Sequence, residues 1–184
     1  MRYPKEVVLK EGREAIIRPL QTDDEASLRR FYAGIPEGDR WFMRQDVMDP
    51  AVIAKWMEDN DKDNVFSIIA LSQERIVGHA TLHMREFGST RHIGRFRLMV
   101  LPEFRYIRLG TWLLLDLIQL AMDKGLSEVR SDFVVGIEEA AIEAAHKFDF
   151  FEKAVLKDYV KDQQGNHHDL LIMIKRLHKR WGDF

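Results

Sequence analysis

The chain has 184 residues, enough for one domain with a sizeable core, and its 46% hydrophobic and 32% charged content is that of a globular protein. The formal net charge is −2, so no global basic field recruits nucleic acid and any anion site must be local. With no cysteine, the sequence excludes disulfides, thiolate metal centres and a covalent acyl-cysteine, and fits a reducing cytoplasm.

Val7-Val8-Leu9 and Ala15-Ile16-Ile17 flank the turn signal Glu11-Gly12 and predict a first hairpin closed by Pro19. Thr22 reads as a helix N-cap, with Asp23, Asp24 and Glu25 in the first turn, where negative charge is favoured. Ala26, Leu28, Phe31 and Tyr32 supply that helix's apolar face, and Gly34 and Pro36 stop it. Asp49-Pro50 caps and opens a second helix, with Val52, Ile53, Trp56 and Met57 at helical spacing. Strands are expected at Val65 to Leu71 and Arg75 to Leu82, joined through Gln73-Glu74, and a central strand at His92 to Leu101. Trp112 to Met122 reads as a helix with Gly125 as its cap, Val129 to Val135 as a strand and Glu138 to Lys147 as an alanine-rich helix. Phe150 to Val160 and Leu170 to Ile174 complete an antiparallel pair. The order β-α-α-β-β-β-α-β-α-β-β predicts a mixed α/β (α+β) fold with a largely antiparallel sheet.

No linker, repeat or low-complexity segment divides the sequence, so residues 1–184 read as one domain. The N-terminal Met1 to Ala15 has no apolar signal core, and Asp116 and Gln119 interrupt the richest apolar run, so no segment is expected to span a membrane. The run Arg105 to Thr111 places a short basic loop with Gly110 between the end of the central strand and a helix. Unpaired N–H groups and the helix dipole there suit a pyrophosphate. Arg108 reads either as a phosphate contact or as a solvated loop residue; as a non-glycine it costs about 1 kcal/mol if its φ is positive.

This element order, with that loop after the central strand, resembles the GNAT (GCN5-related N-acetyltransferase) superfamily over about Val7 to Ile174. The family pattern Gln/Arg-x-x-Gly-x-Gly/Ala is met by Arg105-Tyr106-Ile107-Arg108-Leu109-Gly110, with Arg108 at the middle glycine. Ala145-His146-Lys147-Phe148-Asp149-Phe150 resembles the end of the second family helix, with Ala145 at the usual tyrosine and Asp149 at the usual glycine, and Glu138 stands where relatives often have Asn. The resemblance implies a GNAT-like sheet of six to seven strands flanked by about four helices. It also implies acetyl-CoA as cosubstrate and direct acetyl transfer to an amine: a small amine, an amino acid or a protein amine. It places the cosubstrate against Met99, Val100, Arg105, Tyr106, Ile107, Arg108, Leu109, Gly110 and Thr111. The Val100 N–H would stabilise the developing oxyanion, a donor worth about 3 kcal/mol elsewhere.

A base must deprotonate the amine, and the central strand offers Arg95 and Arg97 but no acid; Glu86 is the candidate upstream, with His79, His83 and Glu103 nearby in sequence. The alternative reading is a catalytically weak or inactive CoA-binding or regulatory module of the same fold. His79 and His83 share a strand face as a metal-binding pair or as ordinary strand residues; no metal site is expected. Trp41-Phe42-Met43-Arg44 reads as an acceptor pocket or as local core, and Arg40 and Arg44 as carboxylate readers or solvated charges. The basic run Lys175 to Trp181 reads as an exposed helical end, too short to indicate a nucleic-acid partner. Edge strands near the C-terminus are compatible with a homodimer.

Overall fold

The computed structural model describes residues 3–59 and 64–177. Among the described residues it has eight strands and five α-helices, a mixed and mostly antiparallel architecture. The chain divides into two compact units, Met1–His83 with Arg97–Leu117, and Met84–Phe96 with Ile118–Phe184.

The first unit begins with the hairpin of β1 (Lys5–Val8) and β2 (Glu14–Pro19), whose turn puts Glu11 at φ 63 and Gly12 at φ 73. Helix α1 (Glu25–Ala33), the single turn α2 (Glu37–Trp41) and α3 (Pro50–Asp59) follow, then β3 (Val65–Ser72) and β4 (Arg75–His83). Gln73 and Glu74 both have positive φ, 49 and 64, the backbone that a two-residue hairpin requires. The latter half of β5 (Ile93–Val100) and the start of α4 (Leu109–Asp123) complete this unit, with strand order β1-β2-β3-β4-β5. Leu28, Phe31 and Tyr32 of α1 and Ile53 of α3 are buried; Tyr32 packs edge to face on both Trp56 and His79 of β4, and the rings of Trp56 and His79 lie tilted to each other. Gly78 points the other way, into α4; a Cβ there would lie 2.8 Å from Leu113 and 3.4 Å from Leu109. The strand thus has α1 and α3 on one face and α4 on the other.

The second unit orders its strands β5-β6-β8-β7, with β6 (Glu128–Val134), β7 (Phe151–Lys161) and β8 (His167–Arg176), and carries α5 (Glu139–Lys147). Strands β5 and β6 run parallel, with registered pairs from Ile93↔Glu128 to Arg95↔Arg130. Gly125, at φ 76, ends α4: its N–H reaches Met122 O and that of Leu126 reaches Ala121 O.

Several boundaries depart from expectation. Helix α1 starts at Glu25, after a tight turn over Thr22–Asp24. Asp24 is no solvent-facing dipole partner; it is buried, takes two hydrogen bonds from Arg18 at 2.7 and 2.8 Å and accepts the Gln21 N–H at 2.8 Å. Helix α2 was not expected, because one turn after Pro36 has no apolar period to announce it. Helix α4 begins three residues before Trp112. Lys175 and Arg176 are not helical: they pair with Val129 and Glu128 and end β8, while 178–181 lie outside the described residues. The first hairpin brings the strand count to eight. No helix among the described residues is long and apolar enough to cross a membrane.

Candidate acyl-donor site

The loop after β5 is built by alternation. Ile107 and Leu109 are buried and anchor it from below, and the Ile107 carbonyl accepts the Lys10 N–H at 3.1 Å. Tyr106 and Arg108 between and before them are exposed and sit at φ 63 and 74. Arg108 therefore keeps the left-handed backbone that a glycine would adopt freely, at a cost of about 1–2 kcal/mol. Its guanidinium has no partner among the described residues.

That conformation turns the chain straight into α4. The first N–H groups of the helix, on Leu109, Gly110 and Thr111, have no acceptor among the described residues; the first to bond back is Trp112, to Arg108 O at 3.1 Å. A Cβ on Gly110 would meet only the Leu98 side chain, at 3.6 Å, so the helix start is open on its outer side. Unpaired donors, the positive end of a fifteen-residue helix and an exposed Arg108 suit a doubly charged phosphate group.

Arg105 is placed differently from its neighbours. Its Nε donates to the Val100 carbonyl at 3.1 Å and its Nη2 to Asp39 Oδ2 at 2.6 Å. It staples the loop to the strand end and to α2. The Leu101 N–H donates to Val77 O at 3.0 Å, toward β4. Because successive amides alternate in a strand, the Val100 N–H lies on the edge away from β4, together with the carbonyl that Arg105 holds. Met99 is half-buried and Val100 buried.

The candidates for proton transfer are dispersed. Glu86 is exposed in the loop after β4. Glu103 is engaged with Arg75 at 3.2 Å, and its carbonyl accepts from Arg13 at 3.0 Å. His83 bonds to Thr81 Oγ1 at 3.1 Å. His79 does not form a pair with it: its ring is buried, its Nδ1 lies 2.7 Å from the Tyr32 hydroxyl, and its Nε2 has no partner among the described residues. Burial, with the field of His83 adding to it, lowers the His79 pKa to about 4, and burial raises that of Tyr32 against the opposing field of Arg97. His167 and His168 bond to Asp158 O and to Asp162 Oδ2, respectively.

In the second unit Ala145 is buried and offers no proton donor. Asp149 stands at φ 58, with its N–H on His146 O and that of Phe150 on Ala145 O, so this departure from glycine also preserves the left-handed turn. Glu138 accepts the Val134 N–H at 2.7 Å. Asp39 escaped the sequence reading, because no local pattern reveals a partner 66 positions from Arg105.

The fold and this loop define an acyltransferase architecture. The chain belongs to the acetyltransferase (GNAT) family, whose model matches residues 26–150. Comparison with curated proteins finds no match. Among solved structures, the ribosomal-protein-alanine N-acetyltransferase of Brucella melitensis superposes with a TM-score of 0.77 at 24% identity, over 88% of this chain and 99% of that one. A protein of Salmonella typhimurium solved with its cofactor acetyl-CoA gives 0.76 at 22% identity, over 92% and 98% of the two chains. A GNAT-family acetyltransferase of Streptococcus pneumoniae gives 0.76 at 19% identity, over 88% and 99%. The acyl donor of the family is acetyl-CoA, the cosubstrate expected from the sequence.

Proposed function

We propose that this protein is an acetyl-CoA-dependent N-acetyltransferase that passes the acetyl group directly to an amine, on a small molecule, an amino acid or a protein. The observation that carries the reading is the left-handed Arg108, which turns the chain so that three unpaired N–H groups open α4. Acetyl-CoA, when bound, supplies an activated thioester carbonyl. The Leu109, Gly110 and Thr111 amides and the Arg108 guanidinium hold its pyrophosphate, with Tyr106 and Ile107 shaping the loop. Met99 and Val100 offer strand backbone to its arm, and the Val100 N–H donates toward the acyl oxygen. Arg105 acts through Val100 and Asp39, holding loop and strand end in one geometry.

Glu86 is the carboxylate we assign as base for the incoming ammonium. The Glu86→Gln variant is expected to lower kcat while leaving acetyl-CoA affinity unchanged; equal kcat would remove Glu86 from the reaction. Calorimetric titration with acetyl-CoA tests the donor site, and Arg105→Ala is expected to weaken binding about tenfold by freeing the strand end. Unchanged affinity in that variant, or no heat with the wild type, overturns the loop assignment.

One observation favours a second reading, a CoA-binding module without turnover: buried Ala145 occupies the position at which relatives carry a tyrosine. Release of free CoA with a panel of amines decides between them.

A further inference from the structure

Within the first unit, Arg97 lies on the same face of β5 as Met99, two residues or about 7 Å back along the strand. It is half-buried, and its only partner among the described residues is the Phe42 carbonyl, reached by Nη1 and Nη2 at 3.3 Å each. These contacts are long, and three of its five N–H groups have no acceptor. No carboxylate among the described residues touches it. Of the other half-buried arginines of this unit, Arg18 has Asp24, Arg29 has Glu25 and Arg105 has Asp39; Arg40 shares the lack of a carboxylate, but its Nε donates to Ile35 O at the shorter distance of 3.0 Å. A guanidinium partly withdrawn from water and left without a counterion is destabilised until an anion meets its fork of donors. Its surroundings are those of a recognition surface: half-buried Phe42 and Met43, and exposed Trp41 and Arg44, on the segment whose carbonyl it touches.

We infer that Arg97 reads an anionic group, a carboxylate or a phosphate, on the acceptor, so that the acceptor is an amine carrying negative charge close to its nucleophilic nitrogen. The inference rests on the transferase reading and names its substrate class. Arg97 binds the anion through its free N–H groups, while Phe42 O fixes the plane of the guanidinium. The positive charge on this strand face selects against cationic amines by the same term.

The test compares matched acceptors on the full chain: γ-aminobutyrate against butylamine, and O-phosphoethanolamine against ethanolamine. Wild-type kcat/KM is expected to favour the anionic member of at least one pair by tenfold or more, and the pair that shows it separates carboxylate from phosphate. In Arg97→Gln that preference is expected to vanish through KM, with the neutral members changed less than twofold and acetyl-CoA affinity unchanged; Arg97→Lys is expected to restore part of it. Equal loss on both members makes Arg97 structural, and loss of acetyl-CoA affinity assigns it to the donor's phosphates; either result overturns the proposal, as does a wild type indifferent to acceptor charge. Thermal shift with each acceptor in the presence of CoA gives a readout that needs no turnover. Stabilisation of wild type but not of Arg97→Gln by the anionic amines, with no CoA released, leaves Arg97 standing and removes the transferase reading; no stabilisation and no release overturn the assignment of Arg97.

Discussion

His79 is a base kept from its proton by the packing around it. With Phe31, Tyr32 and Trp56 against its ring, protonation would place a charge where only the Tyr32 hydroxyl can answer it. Its pKa is about 4 in the folded chain against 6.5 for an ordinary histidine, so between these values the unfolded chain binds more protons. Stability therefore rises with pH across this window. The contribution is complete above pH 6.5 and is lost as pH falls toward 4, a loss of about 3 kcal/mol. Urea unfolding of wild type and His79→Phe at pH 7.5 and 4.5 checks this: the wild type is expected to lose more stability than the variant between the two, and parallel losses would refute it. Arg108 shows a different residue-scale compromise. It accepts a left-handed backbone and gains a guanidinium at the helix start. Arg108→Gly is expected to raise stability by up to about 1 kcal/mol and to weaken acetyl-CoA binding; stability is read by urea unfolding and affinity by calorimetry.

Among the elements, the packing of β4 against α4 fixes where the donor loop ends. Leu109 and Leu113 are fully buried, and Gly78 lets them approach the strand closely. Gly78→Val would push a branched side chain into a helix that has no room to yield, and is expected to cost about 2 kcal/mol in urea unfolding. Wild-type stability in this variant would show that α4 can shift. These elements were legible to different degrees, for physical reasons. The first hairpin was readable from the turn signal Glu11-Gly12, where the chain has only local choices, and the second from the apolar runs on either side of Gln73-Glu74. Asp49 with Pro50 was readable for the same reason, and its Oδ1 does accept the Ala51 N–H at 2.9 Å. Asp24 was misread because a local helix-start pattern competes with an ion pair to Arg18, and only the tertiary structure decides between them. The donor loop was legible as a motif; that Arg108 is left-handed and that Arg105 is committed to Asp39 was not. The first depends on a backbone angle that any residue can in principle refuse, and the second on a partner distant in sequence.

For the molecule as a whole, the balance of charge leaves little long-range attraction for a polyanion, since acidic residues outnumber lysines and arginines by 30 to 28. Capture of acetyl-CoA must then come from short-range donors, and the proposed site makes binding sensitive to single atoms at the start of α4. Gly110→Ala isolates that dependence. Its Cβ meets only Leu98, at ordinary contact distance, so the free protein is expected to unfold within about 0.5 kcal/mol of wild type. In the proposed complex the same methyl would stand beside the amides assigned to the pyrophosphate. At a concentration one hundred times Kd, acetyl-CoA is expected to stabilise the wild type by about 2.7 kcal/mol, a rise in Tm of about 5–10 °C. At that same concentration Gly110→Ala is expected to show less than half the rise, with an unliganded Tm like that of the wild type. A full shift in the variant would mean that the cosubstrate does not approach Gly110, and a lowered unliganded Tm would mean that the glycine serves packing instead.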